Sequence, residues 1–294
     1  MVRSRVRASL SALAALTTVG ALAACGSSPT TPAATTGAAA SSAADVCAKG
    51  SLAVATPGRL TIGTDKPAYE PWFKNDDPGN GEGYESAVAY AIAAKLGFAK
   101  GEVAWVVAPF NAVVTPGKKK FDFDVNQVSI STERAKAVDF SSGYYDVRQA
   151  VVTYQGSPIA GKTAVADLSG AKLGAQVGTT SYQAIVTQIK PSVAPSVYDS
   201  NDLAVQALKN KQIDGIVADL PTAFYMSAAQ LDNGVIVGQL PASGATPERF
   251  GAVLSKGSPL TTCVTRAVDA LRADGTLARL VAAWLSSAGA PELT

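Results

Sequence analysis

A few side chains in this 294-residue sequence have the chemistry to hold a small charged molecule. Arg134 ends the run Ser129-Ile130-Ser131-Thr132-Glu133-Arg134. Its planar guanidinium fits a carboxylate through paired hydrogen bonds, although an ion pair with Glu133 or Asp139 would use it equally well. Gly178-Thr179-Thr180 opens a stretch of helical spacing, where free N–H groups and partial positive charge suit an anion. Plain N-capping is the other use for Thr179. Asp219 closes the apolar run Ile213–Ala218 and precedes Leu220-Pro221, a place for a helix cap or for a carboxylate offered to a cation. There is no histidine. That removes the commonest metal ligand and general base, and every Ser-His-Asp or Cys-His arrangement. No metal or cofactor site is read from the chain.

These groups need a scaffold, and the spacing predicts an α/β one. Strands are expected at Leu60–Thr64, Val103–Val107, Phe123–Val128, Lys172–Gln176, near Val197, and at Ile213–Ala218, Val235–Val237 and Phe250–Leu254. Helices alternate with them: Tyr84–Leu96, Asn111–Val114, Thr179–Ile189, Leu203–Leu208, Pro221–Ala229 and two at the end of the chain. Such alternation argues for parallel-rich sheets. One unit occurs twice. A Lys-rich turn and an aspartate, Asp122 or Asp214, precede a strand, and a polar residue, Gln127 or Asp219, follows five positions later. Ligands of open α/β sheets bind beyond the carboxyl ends of strands, so Gln127 and Asp219 are expected to face a common cleft. The lysines read as solvated helix ends.

Met1–Ala24 has a basic start and an apolar middle and ends in Leu22-Ala23-Ala24-Cys25, which resembles a bacterial lipoprotein signal followed by a lipidated Cys25. Residues 25–46 then form a tether poor in charge. Without the three leader arginines, 22 basic residues face 23 acidic ones, so no electrostatic footprint for nucleic acid remains. Hydrophobic content of 47% excludes a disordered chain. Cys47 and Cys263 are an even pair in an oxidising compartment, which favours a disulfide over two buried thiols.

The run Ser129–Ser141 (SISTERAKAVDFS), with Gly63-Thr64-Asp65, Tyr69, Pro71-Trp72, Gly174–Thr180 and Ile213–Asp219 in this order, resembles the amino-acid-binding proteins of ABC importers, solute-binding protein family 3. The resemblance covers about 59–286. It implies a two-lobed periplasmic-binding fold of type II. Lobe 1 would be 47–148 plus 239–294 and lobe 2 would be 149–238, with crossovers near Val147–Tyr154 and Val235–Gln239 as the hinge. It also implies a free amino acid as ligand, a membrane permease as partner, and an extracytoplasmic place on the outer face of the cytoplasmic membrane. A buried zwitterion needs an opposite charge at each end. Arg134, Ser129 and Thr180 would take the carboxylate, and Asp219 and Gln127 the ammonium. Tyr69 and Phe110 would flank the side chain, and Gln176 would touch it. Asp65 either binds its far end or caps its own loop. The family often has a small residue at position 127, so Gln127 is a departure. A neutral polar ligand such as glutamine is preferred, because an acidic one would want a second cation and only Lys66, Arg148 and Lys162 offer themselves; cystine and a basic amino acid stay open. A sensor on the same fold and a cyclohexadienyl-dehydratase-like enzyme are the alternatives.

Overall fold

The computed structural model describes residues 45–242, 244, 246–285 and 289–294. The leader and the lipidation site expected at Cys25 lie outside the described residues. None of the helices described is long and apolar enough to cross a membrane.

Two five-stranded sheets organise the chain. The first has the order β2-β1-β3-β10-β4, with β1 Leu60–Thr64, β2 Val103–Val107, β3 Phe123–Asp124, β4 Val138–Val147 and β10 Glu248–Ser255. The second has the order β7-β6-β8-β5-β9, with β5 Gln149–Tyr154, β6 Leu173–Gln176, β7 Ser196–Tyr198, β8 Gly215–Asp219 and β9 Gly234–Gln239. In each sheet the strands from the βα units run parallel, and those next to the crossovers are antiparallel. This is the two-lobed α/β architecture expected from the sequence.

The helices cover the sheets with their apolar faces. On the first sheet, α1 (Tyr84–Lys95), α6 (Thr261–Ala273) and α7 (Thr276–Trp284) pack over a core that includes Trp72, Phe123, Tyr144 and Phe250. The short α2 (Phe110–Val114) covers the other face with Phe121, Val128 and Val253. On the second sheet, α3 (Thr180–Ala184) runs on into a π turn over Ile185–Ile189. α4 (Asn201–Lys209) and α5 (Leu220–Tyr225) complete that lobe. Cys263 on α6 is bonded to Cys47, so the segment before β1 is pinned to the last part of the chain.

The repeated aspartates do the same work in both sheets. Asp122 takes the N–H groups of Ala55 and Thr61, at 2.7 Å each, and donates its own N–H to Thr61 O. Asp214 takes the Lys172 N–H at 2.8 Å and donates to Lys172 O. Each thus staples the start of its strand to the parallel neighbour and leaves the carboxyl end of the strand facing the space between the sheets.

Three boundaries differ from expectation. β3 stops at Asp124 rather than Val128, because Gln127 has φ 47° and turns the backbone out of the extended region. The chain changes sheets at Arg148 alone and again between β9 and β10, so Val235–Gln239 is wholly a strand of the second sheet. The C-terminal residues 289–294, assigned from sequence to lobe 1, add to the β9 edge of the second sheet. There Gln239 N–H donates to Pro291 O and Leu293 N–H to Gln239 O. Leu293 is buried in the second lobe's core. Gly238 permits this approach, since a Cβ there would stand 2.8 Å from the Leu293 side chain.

Candidate functional site

The carboxyl ends of β1 and β8 and the start of α3 border a cleft. Arg134, Asp219, Thr180, Gln127, Tyr69, Phe110, Asp65 and Gln176 all line it. Ser129 does not. It is buried behind Thr180, with the two hydroxyl oxygens 3.2 Å apart.

Arg134 reaches the cleft from the turn after Ser131. Its guanidinium donates to Ser129 O at 2.7 Å and to Gly178 O at 2.9 Å, so it already links the two lobes. It lies 5.3 Å from the centre of the Phe110 ring, within range of a cation–π contact. Burial lowers its pKa to about 10, opposed by the charge of Glu248, and it stays cationic at neutral pH. Two of its five N–H groups are used by the carbonyls and the rest are free for an anion.

Asp219 stands at the end of β8, paired with Gln149 of β5. It does cap α5: Oδ1 accepts from Thr222 N–H at 3.0 Å. The residue also lines the cleft. Burial raises its pKa to about 6 against the lowering effect of Thr222, and Glu248 adds to the rise. A neighbouring cation would restore the charged form.

Gln127 is held from behind by Glu85, which is fully buried on α1. Glu85 accepts from Gln127 N–H at 2.8 Å, from the Gln127 amide nitrogen, and from Tyr144 O–H at 2.5 Å. The backbone N–H of Gln127 and one hydrogen of its side-chain amide are used in this way, and the residue lines the cleft. Burial pushes Glu85 up to about 7 despite these donors.

Of the two roles left open for it, Asp65 performs the loop cap. It accepts from Lys66 N–H at 2.7 Å and from Phe110 N–H at 3.1 Å, and it also lines the cleft. Burial raises its pKa. Thr179 caps α3, accepting from Tyr182 N–H and donating to Gln176 O. Tyr69 stacks obliquely on Tyr225, 6.4 Å between centres. Of the three extra cations considered, Lys66 pairs with Asp76, Arg148 pairs with Glu292, and none of the three lines the cleft. Arg134 is the one basic residue of the lining among the described residues.

The sequence did not point to Gln149, Glu248 or Glu85, and it marked Trp72 only as part of the motif Pro71-Trp72. Gln149 and Glu248 join the hydroxyls of Ser129 and Thr180. Trp72 Nε1 donates across the lobes to Thr222 Oγ1 at 2.9 Å. The one available signal was Gln149, a polar residue at the head of the otherwise apolar run Ala150–Val152. No His/Cys/Asp/Glu cluster among the described residues has the makings of a metal site.

Residues 60–287 match the bacterial extracellular solute-binding proteins, family 3. The L-arginine-binding protein of Pseudomonas aeruginosa is 28% identical over 239 residues, 77% of this chain and 90% of the relative. The L-cystine-binding protein of Escherichia coli is 29% identical over 232 residues, 78% and 84% of the two chains. Among solved structures, an ancestral arginine-binding protein bound to glutamine superposes with a TM-score of 0.65 at 28% identity. It is covered completely by 79% of this chain.

Proposed function

Because the chain belongs to family 3 of the bacterial extracellular solute-binding proteins, we propose that it captures a free α-amino acid whose long side chain ends in N–H donors, and hands it to a membrane permease. One observation carries the reading: the cleft is lined by one cation and two carboxylates. Arg134 faces the α-carboxylate and Asp219 the α-ammonium. The charge left over is that of Asp65, which favours a cationic side chain such as that of arginine, with glutamine as the neutral member of the class. An acidic side chain would meet a carboxylate and no second cation, a desolvated like-charge contact that opposes binding. The relatives named as arginine-binding and glutamine-binding fall in the same class, and the cystine-binding relative does not.

Capture works by closure. The ligand touches Arg134 on one lobe and Thr180 and Asp219 on the other, so it stabilises the form in which both are within reach. Arg148 and the connection from β9 to β10 are the positions for the hinge. Cys25 supplies the anchor in this reading, supported by the leader and Leu22-Ala23-Ala24 before it. Multiple acyl chains suffice to hold a domain to a bilayer. Mass spectrometry of detergent-extracted protein would show the added lipid mass, and a Cys25→Ser form should be released from the membrane.

Ligand class is tested by thermal shift against the twenty common amino acids and cystine, since a ligand that prefers the native state raises the melting temperature. Arginine, lysine or glutamine should give the largest rise and glutamate and aspartate none. A dominant shift with glutamate or leucine would overturn the assignment. A sensor role is separated from transport by deletion: loss of amino-acid uptake supports the importer reading, loss of signalling alone the sensor. Turnover of the bound amino acid, read by mass spectrometry, would favour a dehydratase.

A further inference from the structure

Glu248 is the first residue of β10, directly after the second connection between the sheets. Its partner across the strand pair is Val147, the last residue before the first connection. The carboxylate thus stands where both connections leave the first sheet. Its Oε1 accepts from Ser129 Oγ at 2.5 Å and from Thr180 Oγ1 at 2.6 Å. Gln149 Nε2 lies 3.3 Å from each of its oxygens. Gln149 is itself oriented by Ser181, whose hydroxyl donates to Gln149 Oε1 at 2.8 Å. Glu248 does not line the cleft. It belongs to a second groove at the hinge, with Val147, Arg148, Gln188 and Pro247.

A hydroxyl has one proton to give. Here both Ser129 and Thr180 give theirs to one carboxylate, and ionised acceptors make the stronger bonds. Only an acceptor-only group with two oxygens can take all three donors at once. A group at this place that merely filled space would need neither the charge nor the acceptors.

We propose that Glu248 is a positioning residue for ligand capture: it draws the hydroxyl protons of Ser129 and Thr180 away from the cleft and ties the first lobe to Thr180 and Gln149 of the second, so that the ligand carboxylate is received by N–H groups alone. This rests on Arg134 and Thr180 forming the carboxylate end of the site. Glu248→Gln keeps the shape but offers one acceptor oxygen and turns an NH₂ toward Gln149.

The test is a double-mutant cycle on the mature chain, by calorimetry with L-arginine and L-glutamine as probes. Glu248→Gln and Thr180→Val should each weaken binding about tenfold or more, and the double variant should be little worse than the weaker single. Ligand-free melting temperatures report any general loss of structure. Affinity of Glu248→Gln within twofold of the parent, or losses that simply multiply in the double variant, would overturn the proposal. Should Glu248→Gln not fold, the same cycle between Ser129→Ala and Thr180→Val decides, with coupled losses in support and multiplied losses against. Arg134→Ala separates the two readings. If it binds normally, the carboxylate end is wrongly placed. If it fails to bind while Glu248→Gln binds normally, only the role of Glu248 falls.

Discussion

Replacing Arg134 with alanine removes the one cation that lines the cleft among the described residues. In the intact protein two guanidinium N–H groups are held by Ser129 O and Gly178 O, which fixes the fork; in the proposed complex the remaining donors meet the ligand carboxylate. A charge-assisted hydrogen bond contributes about 1.5–3 kcal/mol, and a bidentate contact makes two. Removing one partner of a buried charge pair costs about 3–5 kcal/mol, a range that lies within the roughly 3–6 kcal/mol of two such bonds. At about 1.4 kcal/mol per power of ten, the dissociation constant should rise by roughly two to three and a half powers of ten. Arg134→Lys should fall between, since an ammonium keeps the charge and loses the planar fork. Isothermal titration with arginine or glutamine is the assay, with melting of the free protein as control for folding. An Arg134→Ala protein that binds within threefold of the parent would refute the assignment of the carboxylate end.

Asp65→Asn should shift selectivity from arginine toward glutamine, read as the ratio of the two dissociation constants; an unchanged ratio would remove Asp65 from the side-chain subsite. Glu85 and Asp219 have folded pKa values raised to about 7 and about 6, so the stability they contribute is complete below about pH 4 and is lost as pH rises through 6 and 7. The free protein should therefore melt higher at pH 5 than at pH 8, and Asp219→Asn with Glu85→Gln should flatten that slope. The ligand ammonium favours ionised Asp219, so affinity should weaken below about pH 6 in calorimetry, and not in Asp219→Asn. Reducing the Cys47–Cys263 bridge, which spans 216 positions, should lower stability by up to about 5 kcal/mol on chain-entropy grounds, measured by denaturant unfolding with and without reductant. Leu293→Ala should cost about 2–5 kcal/mol as a buried leucine truncation; a loss under 0.5 kcal/mol would mean that the C-terminal segment does not dock on the second lobe in solution.

What was legible in the sequence was what short spacing encodes. The alternation of strands and helices, the repeated Lys-rich turn with Asp122 or Asp214 and the run Ser129–Ser141 each lie within a few neighbouring residues, and the resemblance they carry implies the two-lobed fold. Cleft residues that end strands or open helices, such as Asp219 and Thr180, could be named for the same reason. Groups that act through a distant partner could not. Glu248 bonds residues 119 and 68 positions away, and nothing in Pro247-Glu248-Arg249 marks it. Glu85 lies in the first turn of α1, where an acid reads as an ordinary helix-start residue, and only the packing shows it buried under Gln127. The same left-handed turn at Gln127 cut short a strand that its apolar pattern predicted to Val128. The C-terminal segment escaped because a Pro-Glu-Leu-Thr sequence has no period, and its place depends on the free edge of β9.

A crystal structure of the mature chain with L-arginine or L-glutamine tests the clamp most directly. The expected complex has the α-carboxylate on the Arg134 fork and the Thr180 N–H, the α-ammonium on Asp219, and the side chain running between Tyr69 and Phe110 toward Asp65. A ligand bound outside this cleft, or one whose carboxylate and ammonium ignore Arg134 and Asp219, would contradict it.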